Sequence, residues 1–463
     1  MKDRRQGTEN RRQKKRVLIF TSIERAFYSS IIEYQLLEPI VEVSKNSGNK
    51  FIYVGFIPIT FWFTRQEVWK SFWAYRKNRH RIKHWLTVQG IQCNFIPIIF
   101  PIRHKDFYLR IPWLCLYLLN TLPLLLYIIM RYRVNLIHVR NYPAAILCFF
   151  IRSIFGLPYN FDMRDLYPEK GIEAQMFGKW KMERGATSNG KWNIQYTWSY
   201  KLWKFIELKL LHSASSIIVT SEPFKEYIET IFLTNPAGAG FLLCSNLMNS
   251  TNQTILIPNS VNIQRFKPNL VKRREIRVKY GLSDKFVLLH SGAFGTQQDI
   301  PLVGQYFLKW KSLKPKDAHL VILCGTKKYL PNIRRIIEGV GVSKENYTLL
   351  NPIFDEVPQL LLLGDVGLHL ESLALATPYC IAVKDGEYLA TGLPIIVTKW
   401  LKGINGMIKK YNAGIVIDPN DKSYIQENKL LENYDKMSEN AGRLVKECLS
   451  LEKCVEKFNE LYI

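Results

Sequence analysis

The residues able to do chemistry in this sequence gather just after short apolar runs. His138 and Arg140 close the run VNLIHVR (134–140), Asp162 and Arg164 close LPYNFDMR (157–164), and Gly292, Gly295 and Thr296 follow the apolar start of FVLLHSGAFG (286–295). In an extended strand, residues two apart share a face, so Asp162 and Arg164 either pair with each other or line a site together. A glycine pair ahead of a helix lets backbone N–H groups come close to a phosphate at the helix's positive end. Further along, Lys384 stands three residues before Glu387, which is followed by Tyr388 and the turn Thr391-Gly392-Leu393-Pro394. Glu169 is either a helix-capping acid or another site residue. Asp365 and His369 flank an apolar run, but their spacing is not that of a zinc site, and no metal is expected. Eight cysteines, at 93, 115, 148, 244, 324, 380, 448 and 454, form no Cys-x-x-Cys pair and read as reduced core residues of a cytosolic protein.

The elements that must hold these residues alternate strand and helix. KRVLIF (15–20), FIYVGF (51–56), VNLIHVR, LPYNFDMR and SSIIVTS (215–221) read as buried strands, with helical stretches such as 29–45 and 198–212 between them. The pattern restarts with ILIPNSV (255–261), a polar link at 262–275, and strand-like runs at 286–295, 319–325, 366–371 and 393–399. Such alternation predicts an α/β protein with two doubly wound domains in tandem. Ligands of such sheets sit at the carboxyl ends of the strands, where the residues above lie. Residues 173–199 and 233–254, rich in Gly, Lys, Trp, Asn and Ser, read as loops or insertions.

The chain has 463 residues, 47% of them hydrophobic and 22% charged, which excludes a disordered chain and a polytopic transporter. Its formal charge of +25 points to a polyanionic neighbour. Residues 1–16 and 65–85 each carry a net +6, about half of that excess, and the second segment interleaves Trp69, Phe72, Trp73, Tyr75 and Trp85. Cations alternating with aromatics suit the headgroup layer of an anionic membrane. No nucleic-acid recognition module is evident, so nucleic acid is not expected as a partner. The short apolar run VLIF after the basic tail is too brief for a signal peptide. Residues 111–130 are long enough to span a bilayer, but two prolines and basic residues at both ends favour a buried or interfacially docked helix.

The stretch AVKDGEYLATGLPIIV (382–397) resembles the donor-site signature of family 4 retaining glycosyltransferases of bacterial glycan assembly. NLIHVRNYPAA, FDMRDLYPEKG, ILIPNSVNIQRFKP and LHSGAFGT match further stretches of that family in the right order. The resemblance implies the GT-B fold, with two Rossmann-like domains facing each other across a cleft. It implies a basic disordered tail at 1–15, an acceptor-side domain at 16–262, a nucleotide-sugar domain at 263–440, and a terminal helix at 441–463 packing back on the first domain. It implies donor contacts from Gly292, Gly295, Thr296, Lys384, Glu387 and Tyr388, with Glu387 anchoring the ribose. His138, Arg140, Asp162 and Arg164 would serve as catalytic or acceptor-side residues. No cofactor is implied beyond a UDP- or GDP-linked sugar substrate. The acceptor would be a glycan or a lipid-linked glycan, and the protein would work from the cytoplasmic face of the membrane. Two departures stand out. The family's Glu-seven-Glu signature has Tyr379 at its first position, and the usual Arg and Lys after the Gly-rich loop are replaced by Thr296-Gln297-Gln298-Asp299. A nucleotide-sugar epimerase and a weakly active scaffold are the alternative readings.

Overall fold

The computed structural model describes residues 14–21, 32–60, 79–100, 111–173, 178–182, 192–234, 253–292, 299–313 and 317–462. Gly295, Thr296, the tail at 1–13 and most of the basic aromatic segment at 65–85 lie outside them. The chain divides into two compact units, Met1–Phe161 with Val455–Ile463, and Asp162–Cys454.

The strands are β1 (Arg16–Thr21), β2 (Lys50–Thr60), β3 (Gln92–Phe100), β4 (Leu136–Arg140), β5 (Tyr159–Asp162), β6 (Gly178–Met182), β7 (Trp192–Tyr196), β8 (Ser216–Val219), β9 (Gln253–Leu256), β10 (Phe286–Ser291), β11 (Ala318–Leu323), β12 (Tyr347–Leu350), β13 (Val366–His369), β14 (Ile395–Thr398) and β15 (Gly414–Ile417). One sheet has the order β3-β2-β1-β4-β5-β8-β9 and the other β12-β11-β10-β13-β14-β15. In the first, β1 pairs in parallel with β2 and β4, with Ile19 opposite His138 and Thr21 opposite Arg140. In the second, every neighbouring pair is parallel. Parallel strands buried on both faces need unbroken apolar runs, and Val17–Phe20 and Val287–Leu289 are completely buried. The fold is the α/β architecture of two Rossmann-like parallel sheets.

Three strands that the sequence pattern did not reveal, β3, β12 and β15, are all at sheet edges. Of these, β12 shows the thinner cover of an edge, since in Tyr347-Thr348-Leu349-Leu350 only Tyr347 is buried, whereas β15, Gly414–Ile417, is as apolar as a central strand. The stretch 173–199, expected to be a loop, contains an antiparallel hairpin of β6 and β7. The expected strand at 255–261 ends at Leu256, and the expected link at 262–275 already contains the first turn of a helix, Leu270–Lys279, capped by the Asn269 side chain.

In the second unit, two large core clusters flank β10, β13 and β14. The Tyr388 ring lies against the backbone of β13, where a methyl group built on Gly367 would stand 2.5 Å from a ring carbon. Gly367→Ala is therefore expected to destabilise the protein by about 1–3 kcal/mol through overpacking. An unchanged melting temperature would contradict this contact.

Candidate active site

The second unit brings together the carboxyl end of β13 and the helix Val383–Ala390. His369, the last residue of β13, is fully buried and bonded on both ring nitrogens: Nδ1 to Asp385 Oδ1 at 2.6 Å and Nε2 to Glu371 Oε1 at 3.1 Å. Asp385 in turn accepts the Ala382 N–H at 3.0 Å, fixing the start of the helix that carries Lys384 and Glu387. The turn after this helix passes through Gly392 at φ +80°, where a side chain would also crowd Pro268. This left-handed turn explains the glycine of the Ala-x-Gly-x-Pro pattern.

Lys384 is buried, and its Nζ has no hydrogen-bond partner among the described residues. Burial pushes the ammonium below its usual range, against the opposing pull of Glu371, Asp385 and Glu387. Burial would also raise Glu371, but His369, through charge and hydrogen bond, and then Lys384 and Lys170 hold it down at about 2. For His369, the attraction of Asp385 and Glu371 outweighs burial and the repulsion of Lys384, so its pKa is raised. Glu387 behaves oppositely to Glu371. Burial, with Asp385 adding to it, pushes it up to about 7 despite Arg265 and Lys384. Beside the His369–Asp385 pair, the site thus holds one firmly ionised carboxylate, one carboxyl poised near neutrality and one buried cation without a hydrogen-bond partner among the described residues. An uncompensated buried charge is costly, and such a group is retained where an anion completes it.

Other expected site residues are placed differently. Tyr388 is fully buried, and its hydroxyl accepts the Ser291 N–H at 2.6 Å, so it ties the helix to the end of β10 and presents no ligand-facing surface. The N–H of Gly292 is spent on Leu323 O at 3.1 Å, extending the β10–β11 ladder. The positive end of the helix Ile300–Leu313 is already served by Asp299, whose Oδ1 accepts the Leu302 N–H at 2.9 Å and whose Oδ2 accepts from Ser372. The Gly292 N–H and the start of this helix are thus engaged by groups of the protein, while Gly295 and Thr296 lie outside the described residues.

Asp162 and Arg164 do pair, at 2.6 Å, with both side chains buried. Arg164 Nη1 also donates to Asn259 Oδ1 at 3.2 Å, and Asn259 Nδ2 donates to Ile381 O at 2.6 Å, just ahead of the Lys384 helix. Glu173 accepts the Ala376 N–H at 2.7 Å. These bonds join the chain after β5 to the segment carrying Lys384. Glu169 accepts from Tyr200, Lys204 and Tyr227, so it is an acid held within its own cluster.

In the first unit, His138 is fully buried and its Nδ1 lies 2.7 Å from the Tyr462 hydroxyl, beside Phe458. It anchors the terminal helix Leu451–Tyr462 and is occupied in doing so. Arg140, at the end of β4, is also buried. Asp365 binds Arg273 and Arg277 at 2.5 and 3.1 Å, while His369 binds Asp385 and Glu371, so the two do not converge on a common point. Glu371 stands too far upstream in the sequence to replace the missing first Glu by register, and the fold brings it to the site through the end of β13.

None of the curated proteins matches the chain. Solved structures share its fold along nearly its whole length. A sucrose-phosphate synthase from Thermosynechococcus elongatus is 14% identical, covers 97% of this chain and 98% of its own, and has a TM-score of 0.64. HepE of Anabaena in complex with UDP is 15% identical, with coverages of 96% and 99% and a TM-score of 0.60. A glycosyltransferase from Rickettsia africae is 14% identical, with coverages of 97% and 98% and a TM-score of 0.59. The chain thus has the GT-B fold, and its residues 272–446, which include Glu371, Lys384 and Glu387, match the family described as Glycosyl transferases group 1.

Proposed function

We propose that the protein is a retaining, metal-independent glycosyltransferase that moves a hexosyl or N-acetylhexosaminyl group from a nucleotide sugar to a glycan or lipid-linked acceptor in surface polysaccharide or glycoconjugate synthesis. The observation that carries this reading is the buried Lys384 ammonium without a hydrogen-bond partner among the described residues, set beside Glu371 and Glu387 in the segment that matches the glycosyl transferase family. HepE, of the same fold, is described in complexes with UDP, with UDP and glucose, and with UDP-glucose.

In this reading Lys384 meets the diphosphate and stabilises the charge that grows on it as the sugar departs. Glu387 accepts the ribose hydroxyl hydrogens. Glu371, locked by His369, takes the hydroxyls of the transferred sugar and fills the role left open by Tyr379 at the first position of the Glu-seven-Glu pattern. The departing diphosphate accepts the acceptor's proton on the face from which it leaves, so no carboxylate nucleophile is needed, unlike in retaining glycosidases. The Asp162–Arg164 pair holds the chain segment that joins the Lys384 helix. The basic composition and the apolar helix favour work at the cytoplasmic membrane face.

The carboxyl of Glu387 gives this reading a pH signature. Its folded pKa of about 7 exceeds the ordinary 4.5, so the folded protein holds an extra proton between those values. Its contribution to stability accordingly falls as pH rises through that window. Binding of the ribose hydroxyls needs the ionised form, so affinity for a nucleotide sugar is expected to rise as pH passes through about 7 and then level off. Glu387→Gln should flatten the profile. A wild-type affinity constant across this range would contradict the assignment.

Incubation with a panel of UDP- and GDP-sugars labelled in the sugar tests the reaction class. Label appearing in a larger, acceptor-dependent product supports transfer. Conversion of the donor into an isomeric nucleotide sugar without any acceptor would make the protein an epimerase, and absence of binding or turnover with every donor would favour a scaffold.

A further inference from the structure

The first unit has a pocket of about 260 Å³ between the helical segment 79–88, the edge strand β3 and the helix Ile111–Tyr132. It is lined by the polar Arg79, Lys83 and Asn94 and by apolar side chains, among them Phe95, Leu124 and Ile128. Arg79 and Lys83 lie one turn apart on one helix face. Neither has a carboxylate partner among the described residues, and Arg79 rests on the Phe95 ring at 5.5 Å. The buried Nδ2 of Asn94 has no hydrogen-bond partner among the described residues. Cys93, beside them, is held in its neutral form, its pKa pushed up to about 12 by burial, so it brings no negative charge of its own. Two unpaired cations and an unpaired amide donor therefore converge on a space that no acid of the described chain fills.

The helix that closes the pocket is apolar on the outside as well. Tyr117, Thr121, Leu125 and Ile128 form its buried stripe, whereas Leu119, Tyr127 and Met130 are 74%, 62% and 70% exposed. The segment Cys115–Tyr132 is long and apolar enough to cross a membrane by length and composition, with a mean hydropathy of 1.4. Yet its buried stripe is packed on the protein, with the helix against β3. A helix with one face on a sheet and an apolar opposite face, ending in the exposed Arg131, fits the interfacial plane of a bilayer.

We infer that this pocket binds the phosphate headgroup of an anionic membrane lipid, with Arg79, Lys83 and the Asn94 amide on the phosphate and the exposed face of the helix Ile111–Tyr132 lying among the acyl chains. The pocket is smaller than the roughly 300–1,000 Å³ that encloses a drug-sized ligand, so it takes the headgroup and first methylenes and leaves the chains in the bilayer. The inference deepens the membrane part of the proposed function, and it is tested by binding alone, without any sugar transfer. Its failure would thus leave the donor site untouched.

The probe is co-sedimentation of the full chain with phosphatidylcholine vesicles containing or lacking phosphatidic acid. Wild-type protein should prefer the vesicles with phosphatidic acid. Arg79→Gln with Lys83→Gln should weaken that binding about thirtyfold, the effect of two cations each contributing about a factor of five at an anionic surface. Asn94→Ala, which changes no charge, should weaken it severalfold. Lys402→Gln with Lys409→Gln removes the same charge from exposed positions of the second unit and should change it little, and melting temperatures identify any variant that fails to fold. Equal loss in the control pair, undiminished binding in the pocket pair or in Asn94→Ala, or saturation of the pocket by inorganic phosphate with no preference among vesicles would each overturn the proposal.

Discussion

Replacing Lys384 with methionine is expected to lower the rate of sugar transfer by about 10²–10³-fold, the usual effect of removing one preorganised group from a site of developing negative charge. Methionine keeps much of the stem and removes the ammonium. In the free protein, that ammonium is buried, has no hydrogen-bond partner among the described residues and is depressed in pKa by burial, so it is a cost to folding that only an anion relieves. The same substitution should therefore leave the ligand-free melting temperature unchanged or raise it, while abolishing the stabilisation that a nucleotide sugar gives the wild type. Loss of rate together with a fall in stability would instead make Lys384 a structural residue. Native rates in the variant would remove it from the site.

Glu387→Ala carries the second large effect. A carboxylate accepting two ribose hydroxyls makes charge-assisted bonds, and their loss is expected to cost on the order of 2–3 kcal/mol, lowering donor affinity about thirty- to a hundredfold. The free protein should be indifferent to the change, because burial already makes the ionised Glu387 unfavourable, as its raised pKa shows. Isothermal titration with the donor that the panel selects separates these outcomes. Unchanged affinity would place the ribose elsewhere. If Glu387→Ala and Lys384→Met were combined, the loss should fall short of the sum of the two, since both groups act on one bound donor and on each other.

The sequence revealed the central strands and one edge, β9, and hid the other edges of the two large sheets, β3, β12 and β15. Val17–Phe20 and Val287–Leu289 are unbroken apolar runs because sheets and helices cover both their faces, and that need is written in composition. Of the strands that the sequence hid, β12 and the β6–β7 hairpin lack it, because pairing on one side only, or in an isolated ribbon, tolerates polar residues, whereas β15, Gly414–Ile417, is apolar but short. In the site, the three-residue spacing of Lys384 and Glu387 was legible because one short helix carries both. The position of Glu371 was not fixed by spacing, since it meets Lys384 across elements, beside His369 and Asp385. Of the glycine-rich stretch, only the two ends, Gly292 and Asp299, lie among the described residues. A Gly-x-x-Gly pattern marks a place where backbone can approach an anion, but here the Gly292 N–H is taken by the sheet and Asp299 occupies the helix end. Tyr388 and His138 show the same limit. Both sit at motif positions, and the fold uses both as anchors, one for the end of β10 and one for the terminal helix.

In the proposed reaction, the diphosphate of a nucleotide donor completes the charge of Lys384. A crystal structure of the protein with bound UDP or GDP tests it most directly. A phosphate oxygen is expected within hydrogen-bond distance of Lys384 Nζ, with both ribose hydroxyls on the Glu387 carboxylate. A nucleotide bound elsewhere, with the Lys384 ammonium still buried and unpartnered, would contradict it.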